Sequence, residues 1–158
     1  MSTPTVTDIS FLLSHAGHVL STQMAAAFEE LGISPRGFCV LNHAIGEELT
    51  QNQLAELSDL DKTTMVVTLD ALEGAGLAER RPSATDRRAR IVHVTEAGRA
   101  AVERGRLVSA GVHRAVLDAL PAEERAVFVS ALNRLVDGHL ATPAESATVV
   151  RRARRTQK

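Results

Sequence analysis

The feature that most constrains the fold is a pair of short helical segments, each with its own start signal, separated by a few residues. Thr50 and Gln53 match a capping box, in which the hydroxyl accepts from the third helical N–H and the Gln side chain binds back to the cap. Asp61 is predicted to cap the next helix, which begins at Lys62, and Gly76 can end it in a left-handed conformation. This arrangement predicts a helix-turn-helix.

A β-hairpin is predicted directly after these two helices. The run "LAERR" (77–81) and the run "RRARIVHVT" (87–95) flank the turn-forming residues "PSATD". Ile91, Val92 and Val94 give the second run the β-branched content of a strand. A helix-turn-helix followed by such a hairpin is a winged helix-turn-helix.

Long helical patterns flank this module. We predict an N-terminal helical region over 7–33 and the winged module over 34–95, with a second helix of about 61–74 and a wing of about 77–95. Two C-terminal helices follow over 96–141, and a basic, disordered tail occupies 142–158. Apolar stripes recur at helical spacing in the first and last helices; their members are Ile9, Leu12, Leu13, Ala16, Val19 and Leu20, then Phe128, Ala131, Leu132, Leu135 and Val136. The predicted fold is therefore mainly α, with four helices, a β-hairpin wing and two C-terminal helices, and the stripes favour a two-fold dimer.

The charge distribution indicates a polyanionic partner. The net charge is only −1, yet residues 80–99 hold six arginines against two acidic residues, and residues 151–158 hold five cations. The remaining 130 residues consequently carry −10. Cations concentrated at two places on an acidic chain are typical of contact with nucleic acid.

The sequence resembles the MarR (multiple-antibiotic-resistance regulator) family of winged-helix repressors. The resemblance rests on "DRRARIVHVTEAGR" (86–99), with support from "LTQNQLAELSDLDKTTMVVTLDALEGAGLAERRPSATD" (49–86). It implies a homodimeric transcription regulator that binds double-stranded DNA at an inverted-repeat operator and loses affinity when a small effector binds. It also implies that Arg88 enters the minor groove and that Asp86 holds its guanidinium. A narrow minor groove concentrates negative potential, which suits a weakly hydrated guanidinium.

The remaining DNA contacts are predicted from the second helix and the rest of the wing. Met65, Leu69 and Leu72 lie on one helical face, which we expect to be buried. On the other side, hydroxyls of Thr63 and Thr64 can bind bases or phosphates, and Val67 can contact a thymine methyl group. Lys62 suits a phosphate. We also assign phosphate contacts to the other cations of the hairpin, which are Arg80, Arg81, Arg87 and Arg90.

Two pairs of side chains are candidates for an effector pocket. His15 and His18 are three residues apart, and Cys39 and His43 are four apart, so each pair can share a helical face. The resemblance places the effector pocket beside these helices, and a small aromatic or anionic effector is the favoured ligand. A metal- or redox-responsive regulator remains an alternative, although the spacing matches no recognised ligand signature and no cation flanks Cys39 closely.

Other function classes are disfavoured by the sequence. It contains no glycine-rich phosphate loop and no nucleophile elbow, so neither an enzymatic activity nor a cofactor is predicted. A lone cysteine, no secretion signal and no membrane-spanning apolar run favour a cytoplasmic protein without a membrane partner. A winged-helix module that binds another protein remains the alternative outside DNA binding.

Overall fold

The computed structural model describes residues 8–86 and 88–144. Helix α1 spans Ile9–Phe28 and leads through a 3-10 turn, Glu29–Leu31, to the rest of the chain. The other elements are α2 (Pro35–Ala44), α3 (Gln51–Leu57), α4 (Lys62–Gly74), β1 (Ala78–Pro82), β2 (Arg90–Val94), α5 (Glu96–Asp118) and α6 (Ala122–Asp137). The chain divides into two compact units, residues 1–115 and 116–158.

The helix-turn-helix forms as its capping signals predict. Thr50 and Gln53 make both hydrogen bonds of the capping box of α3. Asp61 caps α4 by accepting from the N–H of Thr64 at 2.8 Å. Met65, Leu69 and Leu72 of α4 are all buried, so the predicted inner face of this helix is confirmed.

The hairpin is antiparallel, with Ala78 opposite Val94 and Pro82 opposite Arg90. Its inner side chains, Ala78, Val92 and Val94, join the core formed by α2, α3 and α4. The far edge of β2 is also occupied, because the N–H of Val92 donates to the carbonyl oxygen of Leu49 at 3.1 Å. The wing is thus fixed at its base to the segment that precedes α3.

Helix α5 packs tightly against this module at two glycines. A Cβ atom on Gly98 would lie 2.0 Å from the carbonyl oxygen of Leu77, and one on Gly105 would lie 2.5 Å from the ring of Phe38. Thr95 reinforces the first contact, since its hydroxyl donates to the carbonyl oxygen of Gly76 at 2.7 Å. The start of α5 is therefore held against the base of the wing.

The apolar stripes of the outer helices behave differently. In α1 only Phe28 is buried, and in α6 no residue is. The exposed apolar side chains include Ile9, Phe11, Leu12, Leu13 and Val19 of α1, and Val127, Phe128, Val129, Leu135 and Val136 of α6. Within a single copy of the described chain, these stripes do not reach a core.

Two expectations concern the ends of the chain and membranes. Almost all of the basic tail predicted over 142–158 lies outside the described residues, which end at residue 144. Over the described part of the chain, none of the helices combines the length and apolar character needed to cross a bilayer.

Candidate nucleic-acid interface

The outer face of α4 presents short, uncharged side chains next to one lysine. Lys62, Thr63 and Val67 are exposed, Val67 by 64% of its surface. Thr64 is partly buried, and its hydroxyl donates to the Asp61 carboxylate at 2.7 Å. Because that proton is already used, the Thr64 hydroxyl can offer a base only its lone pairs, whereas Thr63 lies open on the surface.

Asp61 adds a negative charge at the beginning of α4. Hydrogen bonds from the N–H and the hydroxyl of Thr64 lower the pKa of the Asp61 carboxyl, so it stays ionised. This carboxylate occupies part of the helix N-terminus that could otherwise attract a phosphate. A phosphate contact at this end therefore depends on Lys62.

The tip of the wing is organised by side chain to backbone hydrogen bonds. Ser83 Oγ accepts from the N–H groups of Thr85 and Asp86 at 3.2 and 3.3 Å. Asp86 Oδ1 in turn accepts from the N–H of Arg88 at 2.9 Å. These turns hold the tip without using the side chains of Arg88 and Arg90, which are both exposed.

The geometry around Asp86 differs from what the resemblance implies. Asp86 binds the backbone of Arg88, and the ion pairs among the described residues do not include one between the two side chains. The carboxylate is satisfied locally by the turn, so in this structure it orients Arg88 through the main chain. Arg87 lies outside the described residues.

Arg80, for which a phosphate contact was expected, is paired within the protein in this structure. Its guanidinium pairs with Asp70 and Glu73 of α4, and its backbone N–H also donates to Glu73 Oε1 at 2.6 Å. These hydrogen bonds raise the pKa of Arg80 and lower the pKa of Glu73. The spacing of Asp70 and Glu73 places both on one helical face, but their contact with Arg80 depends on how the hairpin packs against α4. Arg81 pairs with Glu79 at 2.8 Å, but both remain about half exposed.

The four effector candidates lie in two pairs on different helices, α1 and α2. His15 and His18 are exposed on α1, and the ring of His15 stacks on Phe11 with the ring centroids 5.5 Å apart. Cys39 and His43 are partly buried in α2. Over residues 8–86 and 88–144, no group of three or more His, Cys, Asp or Glu side chains could hold a metal ion.

An open cleft of about 530 Å³ lies elsewhere, between α1, the start of α2 and α5. Leu20, Met24 and Pro35 supply its apolar wall, and Arg36 and His113 supply groups that can bind an anion. Sequence reasoning missed this cleft, because its residues are distant along the chain and form no local motif.

A helix-turn-helix whose second helix exposes hydroxyl and methyl groups, followed by an arginine-bearing hairpin, defines a winged-helix DNA-binding protein. Residues 31–89 match the model of the MarR family. This match covers the helix-turn-helix and most of the wing, and the structural similarities below extend the likeness to winged-helix transcription regulators over more than 80% of the chain.

Three solved structures are informative. The transcriptional repressor CouR bound to a 23-mer DNA duplex has a TM-score of 0.74 at 26% identity, over 81% of this chain and 92% of that chain. CouR from Rhodococcus jostii RHA1 bound to p-coumaroyl-CoA has a TM-score of 0.71 at 26% identity, over 87% and 96%. A MarR family protein of Mycobacterium tuberculosis in complex with p-aminosalicylic acid has a TM-score of 0.68 at 27% identity, over 82% and 98%.

Proposed function

We propose that the chain is a homodimeric repressor that binds an inverted-repeat operator and is released by a small aromatic anion. The observation that carries the proposal is the direct attachment of an arginine-tipped wing to a helix with an exposed, uncharged outer face. Such a pair can engage neighbouring grooves of one duplex. The similarity to CouR bound to a DNA duplex supports this use of the fold.

In this proposal, α4 and the wing contact different parts of the duplex. Thr63, Thr64 and Val67 contact base edges in the major groove, and Lys62 contacts a phosphate. Arg88 enters the minor groove, positioned through its backbone by Asp86, and Arg87 and Arg90 contact phosphates beside it. The arginines supply most of the affinity through counterion release, whereas the uncharged helix face supplies discrimination.

The exposed stripes of α1 and α6 support the homodimer. Large apolar side chains clustered on helices mark interaction surfaces, and a second copy of the chain offers the same stripes. A two-fold dimer would place two α4 helices about one turn of DNA apart, roughly 34 Å, which matches consecutive major grooves.

The cleft between α1, α2 and α5 supports release by an effector. It combines an apolar wall with Arg36 and His113, which suits an aromatic ring that carries a carboxylate. The ligands of two similar proteins above, p-coumaroyl-CoA and p-aminosalicylic acid, each combine an aromatic ring with negative charge, which the first carries on the phosphates of CoA and the second on its carboxylate. A ligand that binds the non-operator arrangement of the dimer more tightly would lower DNA affinity by population shift.

Selection from random-sequence duplexes tests the DNA-binding proposal. We expect enrichment of an inverted repeat whose half-site centres lie about 10 base pairs apart, with an affinity that falls steeply as salt is added. Recovery of no preferred sequence would contradict the proposal, and so would a single half-site bound with full affinity.

The effector proposal is tested on the selected duplex with p-aminosalicylate as the probe. We expect the probe to release wild-type protein from DNA, and Arg36→Ala to raise the required concentration by about tenfold, the scale of one charged hydrogen bond. His113→Ala should act in the same direction, whereas Arg114→Ala, on the same helix but outside the cleft, is the matched control. Equal behaviour of all three variants would contradict the assignment of the cleft.

A further inference from the structure

Arg80 joins the wing to the second helix of the helix-turn-helix through both its backbone and its side chain. The Arg80 N–H and Nε donate to the two oxygens of Glu73 at 2.6 and 2.9 Å. The terminal Nη2 reaches both Glu73 and Asp70. A single arginine of β1 thus bridges two carboxylates that lie one turn apart on α4.

The position of β1 explains why the backbone takes part. β1 pairs with β2 on one side only, and the far side of β2 is already bound to the Leu49–Thr50 segment. The outer edge of β1 would otherwise leave an N–H group without a partner. Glu73 supplies that partner, because its carboxylate accepts the hydrogen bond that the backbone of a neighbouring strand would otherwise accept.

Burial and geometry make this contact firmer than a surface ion pair. The side chains of Arg80 and Glu73 are 24% and 31% exposed, whereas those of Arg81 and Glu79 are 52% and 55% exposed. A guanidinium that binds one carboxylate through two N–H groups is fixed in direction as well as in distance. The angle between β1 and α4 is consequently restrained at Arg80.

We propose that Arg80 is a positioning residue for DNA binding, which holds the wing at a fixed angle to α4 so that both meet their grooves together. The proposal rests on the proposed function for its consequence, because a fixed angle matters only if wing and helix engage the same duplex. Arg80 then contributes to sequence-specific affinity without touching DNA. The charge pattern of the hairpin alone would instead count it among the phosphate contacts.

Removal of the two carboxylates separates positioning from simple electrostatics. Glu73→Ala and Asp70→Ala each delete one negative charge from α4, and that loss alone would strengthen the binding of polyanionic DNA. Glu73→Ala also removes the backbone contact and the two-point side-chain contact, whereas Asp70→Ala leaves both in place.

We therefore expect the two substitutions to change the affinity for the selected duplex in opposite directions. Glu73→Ala should weaken specific binding by about tenfold while leaving binding to unrelated duplex unchanged or stronger. Asp70→Ala should bind both duplexes as well as the parent or better. If Glu73→Ala strengthens specific binding as Asp70→Ala does, the proposal is overturned.

Hydrogen exchange in the DNA-free protein tests the restraint itself. We expect the Arg80 amide to exchange at least about tenfold faster in Glu73→Ala and at the parent rate in Asp70→Ala, because only Glu73 accepts from it. An unchanged rate in both variants would overturn the restraint. If the parent chain showed no sequence preference, the proposed function would fail, and the exchange rates would still decide whether Glu73 holds β1.

Discussion

The winged module and the outer helices contain similar apolar side chains but use them differently. In the module, a continuous core joins α2, α3, α4 and the hairpin, and Leu54, Met65 and Leu69 are fully buried. In α1 and α6, comparable side chains such as Leu12 and Phe128 remain exposed by 49% and 42%. The module is complete within one chain, whereas the outer helices present surfaces that a second copy could cover. Helical periodicity therefore predicts which apolar residues share a helical face. It does not reveal whether the surface that covers this face belongs to the same chain.

We expect the greatest change on substitution at α6. Phe128 and Leu135 are seven residues apart on one helical face, and both are exposed in the single chain. We expect the double substitution Phe128→Ala and Leu135→Ala to weaken dimerisation by about 2–4 kcal/mol, the cost of losing interface anchors. Sedimentation equilibrium measures this change. Val67→Ala, which removes an exposed side chain of α4, should leave the free energy of dimerisation unaltered. Equal effects of Val67→Ala and of the double substitution would contradict the assignment of the α6 stripe to a dimer interface.

The next largest effect is expected inside the module. A Cβ atom at Gly98 would lie 2.0 Å from the Leu77 carbonyl oxygen and 2.8 Å from Val94 Cγ1. We expect Gly98→Ala to lower the free energy of unfolding by about 3 kcal/mol, at the upper end of overpacking effects. Gly111 lies on the same helix, with no atom within 4 Å of an added Cβ. Gly111→Ala should therefore raise the free energy of unfolding by up to about 1 kcal/mol. Denaturant titration of both variants gives the comparison, and a destabilised Gly111→Ala would show that the effect is not local packing.

At the wing tip we expect an effect on binding but not on folding. Arg88 is exposed, and its contact with Asp86 runs through the backbone N–H, which alanine retains. Arg88→Ala should weaken specific DNA binding by at least about 1 kcal/mol and leave the unfolding midpoint unchanged. Gel-shift titration and thermal unfolding measure the two quantities. Undiminished affinity would remove Arg88 from the interface.

The smallest expected effect concerns the Arg80 contact and pH. Hydrogen bonds from Arg80 lower the pKa of Glu73 below its usual value of 4.5, so the folded state favours the ionised carboxylate. The resulting stabilisation is fully present above pH 4.5 and is lost as the pH falls through the lowered pKa. We expect wild type to exceed Glu73→Gln in unfolding free energy by less than about 1 kcal/mol near neutral pH. This difference in unfolding free energy should narrow as the pH falls from neutral through the lowered pKa of Glu73, whereas a difference that widens on acidification would contradict this origin.

Local signals predicted most of the module. The capping box at Thr50, the cap at Asp61 and the left-handed Gly76 each lie within a few residues of the structure they determine. Two features could not be read in this way. The contact of Arg80 with Glu73 joins residues seven apart across a turn, and the cleft beside Arg36 and His113 joins α1, α2 and α5. Both depend on tertiary packing, which composition and periodicity do not encode.

In the proposed function, two copies of the chain must act together on one operator. The most direct measurement is the mass of the complex formed on the selected duplex, determined by sedimentation or native mass spectrometry as the protein is diluted. We expect two chains per duplex at every concentration that gives specific binding, and loss of that binding in the Phe128→Ala and Leu135→Ala variant. One chain per duplex with undiminished affinity would contradict the proposed function.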